Sequence, residues 1–122
     1  MTDDDPFDLR RFVEAQTPVY AQVVAELRAG RKTSHWMWFI FPQAAGLGRS
    51  AMSVRYAIRS PEEVQAYVAH PVLGPRLREC TALVEAARAK GRTLEEIFGG
   101  IDAMKYRSCL ELFGPRIGVV EL

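Results

Sequence analysis

The most constraining feature of this 122-residue chain is a stripe of small and apolar residues at Leu73, Leu77, Cys80, Val84 and Ala87. Steps of four, three, four and three place all five on one side of an α-helix, and strand alternation cannot produce that spacing. A helix of this length with one apolar face must lay that face against other elements, so its neighbours decide the fold. The flanking punctuation is helical too. His70-Pro71 stops a preceding segment, because proline disfavours helical geometry in the residue before it, and Lys90-Gly91 ends the stripe.

The remaining segments read the same way. Asp8 to Ala15 is a short helix on Leu9, Phe12 and Val13. Thr17-Pro18 looks like an N-cap followed by proline at the first helical position, with Tyr20, Val23, Val24 and Leu27 behind it and Gly30 as the stop. Ser60-Pro61-Glu62-Glu63 and Thr93-Leu94-Glu95-Glu96 are capping boxes, with the Glu63 side chain expected on the amide of Ser60. The first box opens a helix on Val64, Tyr67 and Val68. The second opens a short one through Phe98, broken by Gly99-Gly100. Asp102 is expected to cap a last helix carrying Tyr106, Cys109, Leu110 and Phe113, which Gly114-Pro115 would stop. The apolar run Trp36 to Phe41 is too short for periodicity to settle, and its helical neighbours and a cap at Thr33 or Ser34 favour a helix. The expected fold is all-α: a single compact domain of about six short to medium helices over residues 8–122, behind a flexible acidic N-terminus, residues 1–7.

Composition excludes several function classes. Basic residues number 16 and acidic residues 15, a net charge of +1, which gives no footprint for a nucleic-acid backbone or an anionic membrane. The start is acidic and lacks the apolar stretch of a secretory signal, and no apolar run is long enough to span a bilayer, so a cytoplasmic setting is expected. Cys80 and Cys109 fall on apolar stripes and read as buried free thiols. His35 and His70 lie far apart with no further ligands at metal spacing, so no metal site and no cofactor are expected.

The segment from Ser34 to Ser53, SHWMWFIFPQAAGLGRSAMS, concentrates chemistry. Gly46, Gly48 and Ala51 satisfy a dinucleotide-binding G-x-G-x-x-A pattern. The context fails, since the next element is the helix start at Ser60 where a second strand is required. His35 is the candidate catalytic acid–base group, against the alternative of a histidine that merely completes the core or its rim. The third reading is a pocket wall. Trp36 and Trp38 supply stacking surface and indole N–H groups. Gln43, Gly46, Gly48, Arg49, Ser50 and Ser53 supply a turn and polar side chains. Such a set suits a small anionic or nucleotide-like ligand. The competing reading is that the rings are plain core.

The blocks HWMWFIFPQ, GLGRS, YAI, AHPVLGPRLREC and IFGGIDAMKYRSCLELF resemble a bacterial family of unknown function numbered 1810, from about Asp8 to Phe113. The "calpastatin" label attached to that family does not fit, because calpain inhibitors of that name are long, disordered and repeated. The resemblance implies a compact, mainly helical domain and brings no substrate or catalytic residue with it. It marks Lys105, Arg107 and Ser108 as distinctive polar positions beside those of the aromatic segment. Lys105 and Ser108 share a helix face, and Arg107 points elsewhere. The expectation is that the glycine turn and this face meet over the tryptophans, with Lys105, Ser108 and Arg49 among the ligand contacts. The family continues past LELF with another apolar helix, where this chain has Gly114-Pro115-Arg116-Ile117. A missing helix would leave apolar surface open and favour a homodimer, and a tail docked as a short strand is the alternative. For function, a ligand pocket lined by residues 34–53, with or without catalysis at His35, stands against a protein-interaction module without activity.

Overall fold

The computed structural model describes residues 4–119. Its backbone is carried by eight helices: α1 (Arg10–Gln16), α2 (Tyr20–Arg28), α3 (Met37–Ile40), α4 (Ala51–Arg55), α5 (Pro61–Ala69), α6 (Leu73–Ala89), α7 (Leu94–Phe98) and α8 (Gly100–Ile117). The architecture is a single all-α domain, with two more helices than the punctuation suggested. Helix α3, of four residues, falls in the apolar run where a helix was favoured, and α4, of five, is the helix that reading did not include.

Helix α6 realises the apolar stripe, with Leu73, Leu77, Cys80, Val84 and Ala87 all buried. It packs against α2 and α5, while α8 packs against α5 and α7. Fully burying a leucine or phenylalanine contributes roughly 1.5–3 kcal/mol, so a face of this kind fixes the arrangement. The tightest joint is at the start of α6. A Cβ on Gly74 would lie 2.2 Å from the Val68 carbonyl oxygen, so only glycine lets α5 and α6 meet there.

Several expected local signals play other parts. Thr17 ends α1 instead of starting α2: its hydroxyl donates to the Val13 carbonyl, and α2 begins after Val19 without a side-chain cap. Ser60 does accept from the Glu63 amide, but the Glu63 carboxylate accepts from the Arg59 amide and from Arg11, both at 2.9 Å. A carboxylate this buried needs a cation, and Arg11 supplies it. At Thr93 the full capping box forms. Asp102 is not the cap of α8, whose cap position is Gly99 at φ 81°, and its carboxylate is engaged by lysines instead. Gly114-Pro115 does not stop α8, which runs on to Ile117 and closes at left-handed Gly118. Proline so near the end removes a single intrahelical hydrogen bond and is tolerated.

Asp5 is no loose tail residue, since its carboxylate accepts from the amides of Leu9 and Arg10. The expectation of flexibility at residues 1–3 lies outside the described residues. The tail after Phe113, expected in one alternative to dock as a short strand, continues α8 to Ile117, and its residues 120–122 lie outside the described residues.

Candidate functional site

The aromatic segment divides into a buried half and a half that reaches the surface. The buried half is organised by Glu26, which sits on the same face of α2 as Val23 and Leu27 and is only 5% exposed. Its carboxylate accepts from the amides of Thr33 and Ser34, the Ser34 hydroxyl, the Gln22 amide group and the indole N–H of Trp36 (3.0 Å). Burial alone would push this carboxyl up. The hydrogen bonds from Ser34, Thr33, Gln22 and Trp36 outweigh that and hold it at about 2. The Ser34 hydroxyl is thereby spent, and α3 starts at Met37 with Trp36 at its cap position and without the expected side-chain cap.

Trp36, expected as pocket wall, is 1% exposed and belongs to the core. Its ring meets those of Phe41 and Phe98, and Phe41 in turn stands edge-on to Tyr106 at 5.0 Å. For Trp36, Phe39 and Phe41 the plain-core reading is correct.

Trp38 differs. It is half-buried, and its indole N–H meets no acceptor among the described residues. Lys105 of α8 holds its ammonium 5.0 Å from the Trp38 ring centre. Both line a small cleft of about 50 Å³ with Gln43, Ala44, Leu47, Gly48, Ser53 and Tyr56. Two local features shape it. A parallel bridge between Ala44 and Ile58, closed by Ala45 N–H to Ile58 and Ile58 N–H to Gln43 (both 2.8 Å), ties down the loop after α3. Ser53 packs so closely on Gly48 that a Cβ there would lie 2.6 Å from its hydroxyl. The glycine turn and the Lys105 face of α8 thus lie on one cleft.

A second, more open cleft of about 380 Å³ shares Trp38 as a wall and adds Lys32, His35, Met37, Phe98, Gly99, Gly100, Ile101 and Asp102. Asp102 joins the two clefts, bonding Lys32 at 2.9 Å and Lys105 at 3.6 Å. Two ammoniums share one carboxylate, so the cluster keeps one positive charge in surplus. His35 is exposed and faces only the second cleft, which no serine or cysteine lines.

The other expected positions fall outside. Ser50 caps α4, accepting from the Ser53 amide and donating to its hydroxyl. Gly46 supplies a positive-φ turn at 93°. Arg49 is exposed and Ser108 half-buried, and neither lines either cleft. Arg107 pairs with Glu95 at the surface. No cluster of three or more His, Cys, Asp or Glu suited to a metal occurs among the described residues.

The family model for "Protein of unknown function (DUF1810)" matches residues 6–117. The chain belongs to this family. Among solved structures, this family member is similar to the conserved hypothetical protein Rv1873 from Mycobacterium tuberculosis. The two are 60% identical, with a TM-score of 0.87, over 91% of this chain and 78% of that one. No curated protein matches.

Sequence reasoning missed Glu26, Lys32, Asp102 and Tyr56. Glu26 left a trace: it is a carboxylate at i+3 from Val23 and i−1 from Leu27, on a face otherwise apolar.

Proposed function

We propose that this chain binds a small anionic or nucleotide-like ligand in the cleft beside Trp38. The observation that carries this is the stock of unspent hydrogen-bonding groups on its lining. The Trp38 indole, the Gln43 amide group and the Gly48 N–H have no protein partner among the described residues. Ser53 accepts from Ser50 and keeps its own proton to give. Lys105 has a long, shared ion pair and the face of the Trp38 ring. A cleft rich in donors, with a cation in surplus, selects an acceptor carrying negative charge. The lining offers no nucleophile paired with a base, so the reading is binding and not catalysis. No described helix is long and apolar enough to cross a membrane. Two buried free thiols suit a reducing cytoplasm.

The test is a thermal-shift panel of nucleoside mono-, di- and triphosphates on wild type and Lys105→Ala. At ten times Kd a ligand adds about 1.4 kcal/mol, which lifts Tm by several degrees. The expected result is a lift for at least one member that Lys105→Ala abolishes. No lift across the panel overturns the proposal.

One observation favours a second reading. Ile101 (75% exposed) and Met104 (67%) project from one side of α8, with Leu47 (62%) exposed on the first cleft. Apolar side chains grouped so invite a protein partner, a second copy included. Sedimentation velocity at rising concentration would reveal a dimer that Met104→Asp dissolves. A monomer at all concentrations removes the homodimer.

A further inference from the structure

Trp38 is the wall between two clefts of unlike chemistry. The first is smaller and lined by donors: Gln43, Gly48, Ser53 and Lys105. The second is several times as large, with the hydrocarbon of Met37, Phe98 and Ile101 along it. Ile101 is the most exposed of the large apolar side chains, although it borders a cleft whose other apolar walls, Met37 and Phe98, are buried. The two clefts are also joined electrostatically, since Asp102 answers Lys32 on one side and Lys105 on the other.

From this we infer that the clefts are two halves of one site, and that its ligand is an aryl or heteroaryl phosphate monoester. The inference rests on the reading of the first cleft as an anion site and specifies its occupant. Three observations carry it. A cleft with about 50 Å³ of room is far too small for a whole organic ligand and fits a compact oxyanion. The surplus of one cation is answered by one anionic head. The flat body can lie from that head across Trp38, which borders both clefts, to Ile101, whose exposed side chain it then covers.

The experiment titrates the full chain with inorganic phosphate and with phenyl phosphate. It follows the Trp38 indole and the Gly100 and Ile101 amides by NMR, in wild type and Ile101→Ser. Ile101 is exposed, so the substitution leaves the fold intact, and circular dichroism checks this. Both probes should move the Trp38 indole saturably. Phenyl phosphate should bind about tenfold tighter, the advantage of partly burying one ring, and it alone should move the Gly100 and Ile101 amides. Ile101→Ser should remove most of that advantage and leave phosphate affinity unchanged. Equal affinity of the two probes, or an advantage indifferent to Ile101→Ser, overturns the two-part site and spares the anion site. No saturable shift with either probe overturns both.

Discussion

Removing the Glu26 carboxylate should unfold the aromatic segment from within. In Glu26→Ala the amides of Thr33 and Ser34 and the indole of Trp36 lose their acceptor. Each buried donor left unpaired costs about 1–3 kcal/mol, and water entering from the neighbouring cleft relieves part of this, so a loss of about 4 kcal/mol is expected. Glu26→Gln is milder, because its carbonyl still accepts while its charge is gone. A carboxyl held at about 2 against an ordinary 4.5 corresponds to roughly 3 kcal/mol. The cleft that Glu26 borders screens some of it, so about 2 kcal/mol is the working figure. The pH dependence has a definite sign. As pH falls below 4.5 the unfolded carboxyl takes a proton that the native one refuses, so native stability drops between pH 4.5 and about 2. Glu26→Gln lacks that titration. Urea unfolding followed by circular dichroism should therefore give a gap between wild type and Glu26→Gln that is full at pH 7 and narrows below pH 4.5. A Glu26→Gln variant as stable as wild type at pH 7, or a gap independent of pH, refutes the reasoning.

Other outcomes follow from single contacts. Gly74→Ala should lower stability by about 1–3 kcal/mol at unchanged m value, since its methyl meets the Val68 carbonyl. Thr93→Ala should cost about 1 kcal/mol by opening the capping box before α7. Burial pushes the Cys80 thiol up to about 12 and Cys109 further, so neither should react with a thiol reagent at pH 8 until the chain is denatured. Acrylamide should quench Trp38 emission and spare Trp36, so that Trp38→Phe leaves a protein whose fluorescence barely responds.

What the sequence discloses follows the range of the interaction involved. The α6 stripe, the stops at Gly30 and Gly91 and the capping box at Thr93 are written in neighbours three or four residues apart, and they appear in the structure as read. Thr17-Pro18 has the letters of a cap, yet the Thr17 hydroxyl turns back to Val13 and accepts from Arg76 of α6, a partner no local pattern announces. The division of Trp36 from Trp38 was equally hidden. They are two residues apart, one at the cap and one inside a four-residue helix too short to define a face, and what decided it was Glu26 arriving from α2. Lys105 was legible as a cation on the face of the last helix expected to meet the glycine turn. That it shares Asp102 with Lys32, far away in the chain, required the fold. Arg49 and Ser50 drew attention by their closeness to the glycines, but position along a loop does not say which side chains turn inward.

The two tryptophans permit one direct measurement. Their indole N–H groups give two signals in a proton–nitrogen correlation spectrum: Trp36 bonded to Glu26, Trp38 open to the clefts. Titrating nucleoside monophosphates should move the Trp38 signal saturably and leave Trp36 in place, and in Lys105→Ala it should move neither signal. A Trp38 signal that stays still with every member, or moves equally in Lys105→Ala, contradicts the anion site.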